Sequence, residues 1–176
     1  MWAALTTQGR ACADGALQAF LHTAPMFRIG LLSDTHGLLR PEALAFLRGS
    51  DHIVHAGDIC DPAILDQLAA IAPLTAVRGN NDFGAWAERL PETCVADIGG
   101  LRLCVLHDLA QLRLDPAAGV QVVVTGHSHK PRVAREDGVL YVNPGSCGPR
   151  RFTLPIAVAE LLVDGGEAAA RIQEIA

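Results

Sequence analysis

FRIGLLSDTH, residues 27–36, is a short apolar run that ends abruptly in Asp34-Thr35-His36. The same order of parts recurs along the chain. Ile53 to Ala56 runs into Gly57-Asp58, Leu74 to Val77 into Gly79-Asn80, and Val120 to Val124 into Gly126-His127-Ser128-His129. His107 follows the run Leu101 to Leu106. Short apolar runs bounded by turn residues read as buried strands. Ligands of an open parallel sheet collect at the carboxyl ends of its strands. Five segments therefore each deliver one or two metal-competent side chains to one sheet edge.

The intervening segments support this order. Pro41 opens a helix to about Arg48, because proline suits a first helical turn. Asp61-Pro62 is an N-cap followed by proline, and its helix runs to Ala70. The first half thus reads β-α-β-α-β, a parallel sheet with crossover helices. The second half reads as hairpins. Thr93 to Ile98 and Leu101 to Leu106 flank Gly99-Gly100, Val133 to Arg135 and Val139 to Val142 flank Glu136-Asp137-Gly138, and Pro155 to Val163 and Glu167 to Glu174 flank Asp164-Gly165-Gly166. A loop or short helix is expected around Asp108 to Leu114. A parallel first half and an antiparallel second half predict an α/β fold of two packed mixed sheets flanked by helices.

Composition bounds the partners. The 176 residues fit one domain with a sizeable core. A formal charge of −5 gives no broad basic field, and aromatics make up 5%, so no nucleic-acid module is expected. No apolar run reaches the length a membrane helix needs. The five cysteines lack Cys-x-x-Cys spacing and read as reduced thiols, which points to a cytoplasmic protein. Residues 1–25 read as an N-terminal extension with Met26 as a candidate start. Asp14, Gly15, Gln18 and His22 interrupt its apolar stretch, so a signal peptide is not expected. The domain is assigned to residues 26–176.

The donor types indicate the chemistry. Asp34, His36, Asp58, Asn80, His107, His127 and His129 offer carboxylate, amide oxygen and imidazole, seven donors in all. That mixture suits Mn²⁺, Fe²⁺, Zn²⁺ or Ni²⁺ better than Mg²⁺ or Ca²⁺. Seven donors exceed the needs of one ion and suit two. His127 and His129 alternate by two, so one imidazole can serve each ion. Asp58, central in chain order, suits a bridging carboxylate. Two ions about 3.5–4 Å apart can hold a hydroxide for in-line attack on phosphorus. A dinuclear metal hydrolase is the reading.

The set Asp-x-His, Gly-Asp, Gly-Asn-Asn-Asp, His and Gly-His-x-His resembles the calcineurin-like metallophosphoesterase superfamily. Val77-Arg78-Gly79-Asn80-Asn81-Asp82 and Asn143-Pro144-Gly145-Ser146 are most similar to its small bacterial and archaeal phosphodiesterase branch, to which the retromer scaffold subunit is related. The resemblance covers residues 27 to about 163. It implies a four-layer α/β/β/α sandwich, with Asp34, His36, Asp58 and His129 around one ion and Asp58, Asn80, His107 and His127 around the other. The ions would be Mn²⁺ first, with Ni²⁺, Zn²⁺ or Fe²⁺ as alternatives. The substrate would be a small phosphate ester, and a homodimer is one assembly open to the chain, whose oligomeric state the sequence does not fix. Asp58, Asn81 and His107 are the catalytic candidates.

Two positions depart from the family pattern. Many relatives carry histidine where this chain has Asn81, whose amide can donate a hydrogen bond but cannot act as a general acid. Asp108 follows His107 where relatives often have glycine. Other residues carry plainer readings. His55 is expected to be a hydrogen-bonded core histidine, Arg78 either a site-orienting group or an ordinary ion pair, Arg150-Arg151 a solvated pair before a contact to substrate phosphate, Cys60 and Cys147 packing residues near the pocket, and Asn143 to Ser146 a rigid turn behind the site. Two alternatives accompany the phosphodiesterase reading: a nucleotide or dinucleotide phosphohydrolase, and a scaffold with a silent site. Retention of all seven donors favours an enzyme.

Overall fold

The computed structural model describes residues 26–113 and 118–176. The extension expected at residues 1–25 lies outside the described residues.

Among the described residues, ten strands form two five-stranded sheets. They are β1 (Phe27–Leu32), β2 (His52–His55), β3 (Leu74–Ala76), β4 (Thr93–Ile98), β5 (Leu101–Leu106), β6 (Val122–Val124), β7 (Arg132–Glu136), β8 (Val139–Asn143), β9 (Ala157–Asp164) and β10 (Glu167–Glu174). The first sheet has the order β10-β9-β1-β2-β3 and the second β4-β5-β6-β8-β7. Helices α1 (Pro41–Leu47) and α2 (Pro62–Ala69) are the two crossovers between the parallel strands β1, β2 and β3. Asp61 caps α2 as expected, its carboxylate accepting from Ala63 N at 2.9 Å.

The sheets are mixed, but the second half is not simply antiparallel. β5 pairs parallel with β6, and β6 parallel with β8. The hairpins β4-β5 and β7-β8 are real but sit at the sheet's edges. The long connection from Leu106 to Val122 permits a parallel crossover, which a tight turn cannot make. Val120 and Gln121 lie outside the strand, which is shorter than the apolar run suggested.

Alternation along the strands sends side chains to two cores. Ile29, Leu31 and Val54 meet Leu103, Val105, Val122, Val124 and Val142 between the sheets. Leu32 and Ile53, on the opposite face of the first sheet, pack under Ala43, Leu47, Ile64 and Leu68 of the helices. Helix α1 crosses close over Gly30, where a Cβ would lie 2.5 Å from Leu47 Cδ2. On the outer face of the second sheet, Cys104, Leu106 and Val123 are covered by Leu112, Val120, Val139 and Tyr141. Among the described residues no α-helix lies there, so the fourth layer of the sandwich is thin. Among the described residues, too, no helix is long and apolar enough to cross a membrane.

One buried charge ties the first sheet to α1. Glu160 on β9, 3% exposed, accepts from Arg28 Nε at 2.5 Å and from Arg171 Nη2 at 2.7 Å. Arg28 also donates to Phe46 O and Arg48 O, the free carbonyls at the end of α1. Removing Glu160 would leave Arg28 partly buried without its counterion. Glu160→Ala is expected to cost about 3–5 kcal/mol in urea denaturation, and an unchanged midpoint would contradict this role.

Candidate metal centre

The topology explains the position of the site. The six parallel strands, β1, β2 and β3 in one sheet and β5, β6 and β8 in the other, end at one edge of the sandwich. Asp34, Asp58, Asn80, His107, His127 and Asn143 follow or close them. Backbone bonds stitch the loops together. Asp34 N donates to Gly57 O and His36 N to Asp58 O, at 3.0 and 2.9 Å. Gly126 N donates to His107 O at 2.9 Å. Across the sheets, His127 N donates to Asp34 Oδ2 at 3.1 Å and His107 Nδ1 to Ala56 O at 2.7 Å.

All seven expected donors meet here. His129 Nε2 lies 3.1 Å from Asp34 Oδ1 and 3.2 Å from His36 Nε2. Asp58 Oδ2 stands between two imidazoles, 3.8 Å from His36 Nε2 and 3.4 Å from His107 Nε2. Asn80 Oδ1 and His127 Nδ1 are 3.0 Å apart, and the His107 and His127 rings meet edge to face at 5.2 Å. Two groups of residues could hold a metal ion, Asp34-His36-His129 and Asp34-Asp58-His107. Asp34 belongs to both.

Two buried atoms of this cluster are open to a cation. A carbonyl cannot donate, so the bond to Ala56 O fixes the proton of a neutral His107 on Nδ1 and leaves Nε2 with a lone pair. Neither His107 Nε2 nor Asp34 Oδ1 has a hydrogen-bond partner, though both are buried. Buried acceptors are rarely left unpaired, and two that converge beside a second carboxylate fit a positive ion. Burial lowers the pKa of His36 despite the nearby carboxylates. Burial opposes ionisation of Asp58 as well, but His107 and two donors of Asn81 outweigh it and hold this carboxyl well below its ordinary range. For His107, burial is outweighed by Asp58, Ala56 O and Asp34, and its pKa is raised.

The local backbone is unusual where the donors sit. Asp34, His36, Asp58, His127 and His129 all have positive φ, between 45° and 66°. Non-glycine residues seldom enter this left-handed region, and clusters of them mark functional sites. The loops also approach one another closely enough to require glycine. A Cβ on Gly79 would lie 2.2 Å from Asp58 N, and one on Gly126 would lie 1.9 Å from Ser33 Oγ.

Supporting residues lock these turns. Asp82, 5% exposed, accepts from Asp58 N, Gly79 N and Cys60 N at 3.0, 2.8 and 2.7 Å. Asn81 donates to Asp58 from its backbone at 2.8 Å and from its side chain at 2.6 Å. Its amide is thus engaged with the central carboxylate. His55 is fully buried, which lowers its pKa to about 3, and it bonds Thr35 Oγ1 and Gly57 N. Asn143 donates to Gly126 O and accepts from Gly145 N, and Ser146 Oγ donates to Asp34 O. The turn of residues 143–146 therefore backs the site. Asp108 caps the 3-10 turn Leu109–Gln111, which anchors the loop after His107.

Two plainer readings need correction. Cys60 is not a packing residue. It is exposed, with Sγ 3.8 Å from His36 Nδ1 and donating to Asn81 O. Arg151 is not merely solvated, since its Nη2 lies 3.5 Å from His36 Nε2. By contrast Arg78 forms an ion pair with Glu92, and Cys147 is buried, which raises its thiol to about 12. Sequence reading also passed over Ser33, whose hydroxyl donates to Asp34 Oδ2 at 2.6 Å. As the last residue of an apolar run it carried no signal.

Two clefts flank the centre and share His127 and Asp108. One, of about 400 Å³, is lined by Arg78, Asn80, Phe83, His107 and Gln111. The other, of about 470 Å³, is lined by Leu109, Lys130, Pro131 and Tyr141.

Comparison with known proteins shows the family. A probable metallophosphoesterase of Methanothermobacter thermautotrophicus is 36% identical over 158 residues, covering 82% of this chain and 90% of that protein. A phosphodiesterase of Methanocaldococcus jannaschii is 29% identical over 139 residues, covering 68% and 84%. Among solved structures, an archaeal phosphodiesterase superposes with a TM-score of 0.69 at 23% identity, covering 83% of this chain and 99% of that one. Vacuolar protein sorting 29 from Cryptosporidium parvum does so at 0.66 and 20%, covering 85% and 97%. These two structures speak to fold alone. The model of the calcineurin-like phosphoesterase superfamily domain matches residues 27–166, and the chain belongs to that superfamily.

Proposed function

We propose that the chain is a metal-dependent phosphodiesterase acting on a small phosphate ester at a two-ion centre. The observation that carries this reading is the pair of buried, unpartnered acceptors, Asp34 Oδ1 and His107 Nε2, converging beside Asp58. Two divalent ions, Mn²⁺ first and Ni²⁺, Zn²⁺ or Fe²⁺ as alternatives, would supply an activated water and neutralise charge developing on the phosphate oxygens. Asp34, His36, Asp58 and His129 would hold one, and Asp58, Asn80, His107 and His127 the other.

The chain's own groups then set the limits of the reaction. The bond to Ala56 O orients His107 with Nε2 toward Asp58, 3.4 Å from Oδ2. Asn81 holds Asp58 and has no proton to give a leaving group. Esters with good leaving groups should therefore be cleaved fastest. Two clefts on either side of His127 offer room for the two substituents of a diester. Free thiols at Cys60, Cys94, Cys104 and Cys147 support a reducing compartment such as the cytoplasm.

A nucleotide phosphohydrolase is a narrower version of the same chemistry, favoured by exposed Phe83 beside the Asn80 cleft. A scaffold role is favoured by the likeness to vacuolar protein sorting 29, and retention of all seven donors favours the enzyme.

Metal-stripped protein should be inert and regain cleavage of bis(p-nitrophenyl) phosphate when Mn²⁺ is restored. Preference for p-nitrophenyl phosphate over the diester would argue for a phosphomonoesterase instead. Asn81→Ala keeps the backbone bond to Asp58 and loses the side-chain bond. Its Mn²⁺ affinity should fall about 10–100-fold, as for other groups that orient ligands, and unaltered affinity would show that this amide does not orient Asp58.

A further inference from the structure

Arg151 is placed by a well-anchored segment. Ser146 Oγ donates to Asp34 O, Arg40 Nε donates to Gly148 O, and Gly148 lies so close to the 34–36 loop that a Cβ would be 2.2 Å from Thr35 O. A turn then follows, closed by Leu154 N donating to Arg151 O at 3.1 Å, with Phe152 at φ 52°. This turn directs the guanidinium to His36, where Nη2 lies 3.5 Å from Nε2.

That contact is chemically incomplete. Guanidinium is always a donor and always charged. The arginines paired with carboxylates among the described residues are Arg28, Arg78, Arg102, Arg132 and Arg171, and Arg151 is not one of them. Its acceptor, His36 Nε2, belongs to a group that could hold a metal ion. A lone pair given to an ion is no longer open to an N–H donor. With the site loaded, the guanidinium and the cation would meet at the same nitrogen, and an anion bound to both would offset their repulsion. Planar N–H forks match phosphate oxygens.

We infer that Arg151 is the anion anchor of this site, donating to a non-bridging oxygen of the scissile phosphate. The inference rests on the phosphoesterase reading and adds to it a residue that selects for the phosphoryl group itself. Arg150, whose Nη1 donates to Leu154 O, carries the same charge one position away and serves as a control.

The test is orthophosphate binding to Mn²⁺-loaded protein by calorimetry, with metal content measured in each sample. Arg151→Ala should bind orthophosphate about 10–100-fold more weakly at unchanged metal content, as expected for loss of one hydrogen bond between charged groups. The kcat/KM for bis(p-nitrophenyl) phosphate should fall in parallel, Arg151→Lys should recover part of both, and Arg150→Ala should resemble the parent. Orthophosphate affinity within about twofold of the parent in Arg151→Ala, or equal losses in Arg150→Ala, would overturn the assignment. Because the comparison reads binding, it stays decisive even if the parent cleaves no ester, a result that would count instead against the phosphodiesterase reading.

Discussion

Two carboxylates buried side by side at the seam between the sheets are the constraint on which the rest depends. Asp34 is fully buried and Asp58 is 2% exposed, and both lie within about 4 Å of shared imidazole nitrogens. Taking such charges out of water costs several kcal/mol each unless partners offset it. Ser33, His127 N and Asn81 satisfy some of their oxygens. The remaining Asp34 oxygen and His107 Nε2 have no hydrogen-bond partner.

The architecture makes that arrangement rigid. Six parallel strand ends bring the donors to one edge, and short loops then turn back through left-handed backbone to aim them. Each strained residue costs on the order of 1 kcal/mol and persists only where its surroundings over-determine it. Asp82 shows how this is done. One carboxylate receives three backbone N–H groups from the turns that hold Asp58 and Gly79, so the position of the central carboxylate is set from behind.

Sequence made the donor set legible because each donor stands at the end of an apolar run, and strand ends are local signals. The two crossover helices were legible for the same reason, in Pro41 and Asp61-Pro62. The parallel centre of the second sheet was not. Hairpin turns at Gly99-Gly100 and Asp137-Gly138 are local, whereas the pairing of Val122 with Leu103 and Leu140 is decided by packing between distant segments. The same limit applies to Asp82, two of whose partners, Asp58 N and Cys60 N, lie in another turn. Arg151 and Cys60 reach the site only because residues 146–151 and the turn after Asp58 fold onto the loop of His36. No spacing rule encodes that approach.

The central claim is that Asp58 sits between two ions. Titration of metal-stripped protein with Mn²⁺, followed by binding stoichiometry and by the paramagnetic resonance of the bound ions, tests it most directly. The account predicts two Mn²⁺ per chain with a spin-coupled signal that is lost in Asp58→Asn. A single bound Mn²⁺, or two that are uncoupled and indifferent to Asp58→Asn, would contradict it.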